Sequence, residues 1–277
     1  MKILQNRQEM ADLLASWKQQ GLRIGVVPTM GNLHAGHLSL LEAISGKADK
    51  IITTIYVNPL QFAQGEDFDM YPRTHEADFE KLRAAGGCDA VFIPEQMYES
   101  GHATAISPAG VALGYEAKTR PHFFGGVATI VLKLFQQTGA DVAIFGEKDY
   151  QQLQVIRQMV RDLDLQVEII ASPTIREADG LAMSSRNGYL APAERQIAPF
   201  LYQAMQEAAT EIRQGKEVEA CLKKASDNIL AAGFTAIDYL SYCDGDSLAK
   251  LETRTQNGML LAAVYLGNVR LIDQLKV

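Results

Sequence analysis

The sequence has little cysteine, no membrane-length apolar run and no excess of positive charge, and each shortage removes a class of function. Its three cysteines, Cys88, Cys221 and Cys243, are odd in number and lack C-x-x-C spacing. Free thiols in a reducing compartment are therefore expected, and a structural zinc site is not. No apolar stretch approaches the length of a membrane span. Residues 1–5, Met-Lys-Ile-Leu-Gln, lack the apolar centre of a secretion signal. These features lead us to expect a soluble cytoplasmic protein with no membrane partner. Lys and Arg number 26 against 33 Asp and Glu, a formal net charge of −7. That balance argues against a nucleic-acid partner, because such binding rests on phosphate neutralisation by cations. It still leaves room for a small basic pocket. No internal repeat or low-complexity tract interrupts the chain.

What is present is enough for a substantial core: 47% of the 277 residues are apolar, and the length suits two domains. Strand-like runs at 23–27, 50–57, 89–93, 141–145 and 166–171 alternate with helical patterns at 6–20, 37–48, 75–85, 126–137 and 149–163. Asn6 is placed to cap the first helix and Gly21 to stop it. This alternation predicts an α/β fold, a Rossmann-like, doubly wound, mostly parallel sheet with helices on both faces. Segments 58–74 and 94–125 are long and rich in Gly, Pro and polar residues, as functional loops often are. From about Pro173 the pattern changes. Two long helical stretches near 192–214 and 216–232 precede strands at 236–243, 259–266 and 268–272, the last two forming a hairpin on Gly267-Asn268. A smaller C-terminal α+β domain is expected, with domains at 1–174 and 175–277.

Four segments could carry chemistry. The first is Pro28-Thr-Met-Gly-Asn-Leu-His-Ala-Gly-His37, between a buried strand and a helix. Ligands bind beyond the carboxyl ends of strands in such sheets, and a helix N-terminus offers N–H groups to an anion. Spacing i, i+3 puts His34 and His37 on one face of the first turn, as donors to phosphate oxygens. A zinc protease needs a Glu between its histidines, and none stands here. The second segment, Phe145-Gly146-Glu147-Lys148-Asp149-Tyr150-Gln151-Gln152, again follows an apolar strand. Lys148 could neutralise a phosphate and Asp149 could hold Mg²⁺ through water, but the same cluster reads equally as a solvated turn. It lacks the spacing of a Walker loop. The third, Met183-Ser184-Ser185-Arg186-Asn187, can wrap an anion with hydroxyl and guanidinium donors or simply make a turn. In the fourth, Val57-Asn58-Pro59-Leu60-Gln61-Phe62, the amides could read hydroxyl and carboxylate groups of a small substrate, or the segment could be a plain turn. No convincing Ser-His-Asp or Cys-His arrangement is present. An enzyme built this way works by positioning and electrostatics, with the substrates supplying the nucleophiles.

His-x-Gly-His after a first strand, followed later by Met-Ser-Ser-Arg, resembles the nucleotidyltransferase superfamily that includes class I aminoacyl-tRNA synthetases. There the second motif usually bears lysines. In their order and spacing the four segments are similar to the pantothenate synthetase (pantoate–β-alanine ligase) family. The likeness runs across essentially the whole chain and includes Tyr71-Pro-Arg-Thr74 and Leu266-Gly267-x-x-Arg270-Leu-Ile-Asp273. It implies an AMP-forming, carbon–nitrogen bond-forming ligase of pantothenate biosynthesis, with ATP, (R)-pantoate and β-alanine as partners and Mg²⁺ as cofactor. Pantoyl adenylate would be the intermediate, and the likeness also implies a homodimer. Carried over residue by residue, Met30, Gly31, Asn32, Leu33, His34, Ala35, Gly36 and His37 hold ATP, His37 being the proposed proton donor. Gly146, Glu147, Lys148 and Asp149 contact the nucleotide. Ile175, Met183, Ser184, Ser185 and Arg186 close over adenine and phosphates, His34, Lys148, Ser184 and Arg186 acting in catalysis. Gln61 and Gln152 bind pantoate, and Gln61 also meets β-alanine. One departure stands out: the family commonly shows Arg-Pro-x-His-Phe-x-Gly-Val, and this chain has Arg120-Pro-His-Phe-Phe-Gly-Gly-Val127. Phe123 takes the histidine's place, His122 lies one place early, and Arg120 and Gly126 keep theirs. Other readings are a cytidylyl- or adenylyltransferase acting on a phosphate ester, a tRNA-charging enzyme and a non-catalytic nucleotide-binding regulator. The acidic balance and the lack of residues for an anticodon-binding domain weigh against the tRNA reading.

Overall fold

Asn6 starts the first helix as its chemistry suggests: Oδ1 accepts from the Glu9 N–H at 2.9 Å, and Glu9 Oε2 accepts from the Gln5 N–H at 2.7 Å. A computed structural model describes every residue except Gln64 and Asp67, and it divides the chain into two units. The first comprises Met1–Gly146 and Gln152–Ser172. Its elements are β1 (Lys2–Leu4), α1 (Arg7–Gln19), β2 (Ile24–Thr29), α2 (Ala35–Ile44), β3 (Lys50–Ile55), α3 (His75–Ala85), β4 (Ala90–Phe92), α4 (Glu116–Thr119), α5 (Phe123–Thr138), β5 (Val142–Gly146), α6 (Tyr150–Asp162, of which Tyr150 and Gln151 belong to the second unit) and β6 (Glu168–Ser172).

The six strands form a parallel sheet in the order β1-β4-β3-β2-β5-β6. Its central strands are apolar on both faces because helices cover both. Ile24, Val26, Ile52 and Ala143 pack on the side of α1 and α5, while Val27, Ile51, Ile55 and Ile144 pack on the side of α2 and α3. Gly25 is where α2 comes nearest: an added Cβ would lie 2.9 Å from Ile44 Cδ1 and 2.8 Å from Ala48 Cβ. The chain runs outward from β2 through β3 and β4, then crosses to β5 on the other side of β2. The end of β2 is therefore the topological switch point, where open α/β sheets bind ligands.

The second unit comprises Glu147–Gln151 and Pro173–Val277. It contains α7 (Pro192–Ile197), α8 (Phe200–Arg213), α9 (Val218–Ala231), β7 (Ala236–Asp244), β8 (Gly258–Leu266) and β9 (Val269–Lys276). The strands form an antiparallel sheet in the order β7-β8-β9, and the Gly267-Asn268 hairpin pairs Leu266 with Val269. α8 buries Leu201, Ala204, Met205, Ala208, Ala209 and Ile212, a stripe of helical period, in a core shared with Leu260, Ala262 and Val264 of β8.

The doubly wound parallel sheet and the α+β unit match the sequence reading, with three local differences. The continuous helix near 192–214 is two helices, separated at Ala198–Pro199, because proline brings no N–H and crowds the preceding turn. β1 has no counterpart in the sequence reading, since three residues carry no period. The segment 94–125 holds a 3₁₀ turn at Gly110–Ala112, the short helix α4 and the start of α5. No helix among the described residues is long and apolar enough to cross a membrane.

Candidate active site

The loop after β2 turns sharply. Gly31 (φ 85°) and Asn32 (φ 49°) are both left-handed, a conformation that glycine adopts freely and asparagine tolerates. The Thr29 hydroxyl donates to Thr54 O at 2.7 Å and accepts from the Gly31 N–H at 3.2 Å. From α3, the fully buried Asp78 accepts from the Asn32 N–H (Oδ2, 2.9 Å) and the Leu33 N–H (Oδ1, 2.7 Å). Lys81, one turn further along α3, donates to Leu33 O at 2.7 Å.

This loop delivers His34 as the N-cap of α2. His34 Nδ1 accepts from the Gly36 N–H at 3.2 Å, and His37 Nδ1 accepts from the His34 N–H at 3.3 Å, a reciprocal capping box. The ring centroids lie 4.1 Å apart. Both Nδ1 atoms are thus taken up as acceptors of backbone N–H groups, which fixes how each ring is turned. The arrangement also refines the helix-terminus idea. The Gly36 and His37 N–H groups already serve His34, and those of Asn32 and Leu33 serve Asp78. Anion recognition here falls to the imidazoles more than to the backbone.

After β3, a 3₁₀ turn (Pro59–Gln61) carries the amide pair. Asn58 is buried and its side chain is occupied internally. Its Oδ1 accepts from the Tyr98 hydroxyl at 2.8 Å and the Leu60 N–H at 3.3 Å, while its Nδ2 donates to Gln61 Oε1 and to Gly126 O, both at 3.1 Å. Asn58 is thus a support, and Gln61 is the amide it orients. Gln61 Nε2 points to Met30 Sδ at 3.0 Å, which brings the first and fourth motifs together. Burial pushes the Tyr98 and Tyr56 phenols up from their ordinary values, keeping Tyr98 a donor. Arg120 donates to Gln61 O at 3.0 Å, forms two hydrogen bonds to Glu66 at 2.7 and 2.9 Å, and lies 4.0 Å over the Phe123 ring. Phe123 therefore has a packing task in place of the family's histidine, while His122 is exposed. Gln152, on α6, is half-buried.

In the second unit, the 3₁₀ turn Glu147–Asp149 sets Lys148, 19% exposed, with Nζ 3.8 Å from Asp149 Oδ2. Tyr150 donates to Gly245 O at 3.0 Å. Residues 175–183 fold back on themselves: Glu177 N–H donates to Leu181 O at 2.8 Å and Met183 N–H to Ile175 O at 2.9 Å. That places Ser184 to cap the next 3₁₀ turn (Ser185–Tyr189), its Oγ accepting from the Arg186 N–H at 3.3 Å. Arg176, at the base of this fold-back, forms two hydrogen bonds to Asp273 of β9 at 2.6 and 2.8 Å and stacks 3.5 Å over Tyr202. Burial pushes the Asp273 carboxyl up despite its guanidinium partner. β9 touches both the Lys148 turn and the Ser185–Tyr189 turn.

Among the described residues no group of three or more His, Cys, Asp or Glu could hold a metal. Asp149, 46% exposed, is a single carboxylate. That suits a Mg²⁺ ion arriving on a nucleotide and keeping its waters better than a resident metal. Sequence reasoning missed Asp78, Lys81, Tyr98, Arg176 and Asp273, the residues that hold the motifs in place. Asp273 lies within a matched segment, which carries no sign of its ion pair.

Comparison with known proteins closes the question of family. The family model described as Pantoate-beta-alanine ligase matches residues 2–276. The chain is 49% identical to a pantothenate synthetase of Caulobacter vibrioides over 280 residues, covering 99% of this chain and 98% of that one. It is 51% identical to pantothenate synthetase 2 of Bradyrhizobium diazoefficiens over 258 residues, covering 92% and 90%. Among solved structures it resembles the pantothenate synthetase of Thermus thermophilus, with a TM-score of 0.92, 39% identity and coverage of 100% and 99%. It also resembles a Francisella tularensis pantoate-beta-alanine ligase complexed with beta-gamma ATP and beta-alanine, with a TM-score of 0.84, 33% identity and coverage of 100% and 97%. The likeness carried by the four motifs therefore holds over the full length, and the chain belongs to the pantoate–β-alanine ligase (pantothenate synthetase) family.

Proposed function

We propose that this chain condenses (R)-pantoate with β-alanine to pantothenate through pantoyl adenylate, splitting ATP to AMP and pyrophosphate. The observation that carries this reading is the paired imidazoles at the end of β2, each oriented by a backbone N–H that donates to its Nδ1. In the first step a pantoate carboxylate oxygen attacks the α-phosphorus and the bond to pyrophosphate breaks. His34 and His37 donate hydrogen bonds to phosphate oxygens as charge builds on the leaving group, each keeping its proton. In the second step the uncharged β-alanine amine attacks the acyl carbon, the acyl–phosphate bond breaks, AMP leaves and the nitrogen loses a proton. The substrates thus provide both nucleophiles.

Residues 30–37 hold ATP, Gln61 and Gln152 bind pantoate, and Gln61 also meets β-alanine. Lys148 is a counter-charge for phosphate, with Ile175, Met183, Ser184, Ser185 and Arg186 as further nucleotide contacts. Asp149 would hold Mg²⁺ through water, the ion screening phosphate charge. A cytoplasmic homodimer is part of the proposal, and sedimentation velocity tests the dimer. Incubating the protein with Mg·ATP, pantoate and β-alanine should yield pantothenate and AMP by mass spectrometry. Pantoate should support ATP–pyrophosphate exchange without β-alanine. A product retaining the AMP moiety, with no free AMP, would instead indicate transfer to a phosphate ester.

A further inference from the structure

We infer that Asp78 is a positioning residue for the phosphate-binding imidazoles, a buried internal anion that stands in the loop where a second ligand anion would otherwise fit. Asp78 is 0% exposed and sits in the first turn of α3, where the helix dipole favours negative charge. It does not cap its own helix. Its carboxylate spans the left-handed turn, with Oδ1 on the Leu33 N–H and Oδ2 on the Asn32 N–H, and it receives the Thr74 hydroxyl at 3.2 Å. Successive N–H groups converging from such a turn make a concavity that binds anions, and here the protein's own carboxylate fills it. Room is tight, since a Cβ added to Gly31 would lie 3.2 Å from Asp78 Oδ2 and 3.0 Å from Ile55 Cγ2. Lys81 holds the far side of the same turn through Leu33 O. The next residue is His34, whose backbone N–H donates to His37 Nδ1, so the setting of both rings is inherited from this turn.

The inference rests on the proposed role of His34 and His37 at the ATP phosphates. Asp78→Asn keeps the shape but turns an NH₂ group toward one of the two backbone N–H donors. Two charge-assisted bonds are weakened, each the kind whose loss changes an equilibrium by about tenfold or more. In pantoate-dependent ATP–pyrophosphate exchange, D78N should raise KM for ATP at least about tenfold and lower kcat. In the complete reaction, KM for β-alanine should stay within about twofold of wild type. A merely structural defect would reduce the active fraction and kcat while leaving KM for ATP in place. Should D78N fail to fold, Thr74→Val, which removes a single donor to Oδ2, should move KM for ATP about threefold in the same direction. Unchanged KM for ATP in the folded variant overturns the inference. Absence of exchange in the wild type would instead overturn the functional reading beneath it.

Discussion

Replacing Gly126 with alanine tests the geometry of the Asn58–Gln61 amide pair directly. A Cβ at this position in α5 would lie 2.2 Å from Leu60 O, 2.4 Å from Leu60 C and 2.7 Å from Gln61 N. All three are backbone atoms, so no side-chain rotation relieves the clash, and an ordinary contact of about 3.3 Å requires a shift of roughly 1 Å. Alanine ordinarily stabilises a helix interior by about 1 kcal/mol over glycine. Here overpacking costs about 1–3 kcal/mol, and weakening the Asn58 Nδ2 bond to Gly126 O adds about 1 kcal/mol. The net is a loss of about 1–3 kcal/mol, which lowers Tm by about 3–10 °C in a chain of this size. Because the displaced backbone carries Gln61, kcat/KM should fall about 100-fold, with a raised KM for pantoate. Gly125→Ala is the matched control: its Cβ meets only Ile106 O, at 3.2 Å, so its effect should be much smaller on both measures. Thermal unfolding and steady-state kinetics of the pair decide the matter. A G126A protein with wild-type Tm and pantoate KM would refute the reasoning.

Lys148→Ala should lower kcat/KM at least about 100-fold through loss of phosphate stabilisation, whereas His122→Ala, at an exposed position, should stay within about threefold; comparable losses in the coupled AMP-release assay would contradict this. Arg176→Met strands the buried Asp273 carboxylate and should destabilise the second unit by about 3–5 kcal/mol in urea melts. Adding Asp273→Leu should recover much of that loss, and a single variant as stable as wild type would remove the pair from the account. Glu211, held down to about 2 by Lys224 and Lys216, has a folded value below its unfolded one. Its contribution to stability is therefore present above about pH 4.5 and fades as pH falls toward 2. Glu211→Gln should flatten that acid limb in low-salt thermal melts, and an acid limb identical to wild type would show the lysine pairing to be without effect.

The parts of the site legible in the sequence are those whose signal is local. His34 and His37 stand between a branched apolar run and a helical stripe, so their place at a strand-to-helix junction follows from a few neighbours. Asp78 offers no such clue: with Lys81 three residues on, it reads as an ordinary exposed pair, and its burial comes from the approach of α3 to the loop after β2. Asn58 shows the converse limit. Its amide reads locally as free to meet a substrate, but Tyr98, from a stretch without periodicity, takes its oxygen and Gly126 takes its nitrogen. Pro199 interrupts a helical pattern whose apolar spacing continues on both sides, so periodicity alone runs through the break. Nothing local marks Glu147–Gln151 as members of the second unit, because that membership depends on β9 and Gly245 far along the chain.

The support of the Lys148 turn by β9 has a consequence for the order in which the protein matures on the ribosome. Chains emerge from the N-terminus, and folding units consolidate as their residues appear. The parallel sheet of the first unit can close once β6 is out, although its β2–β5 pairing joins Gly25 to Val142 across a long loop. Residues 147–151 leave the tunnel before β6, but their partners in residues 269–276 arrive more than a hundred residues later. A nascent chain stalled anywhere in that interval holds both histidines while the lysine turn still lacks the strand that supports it.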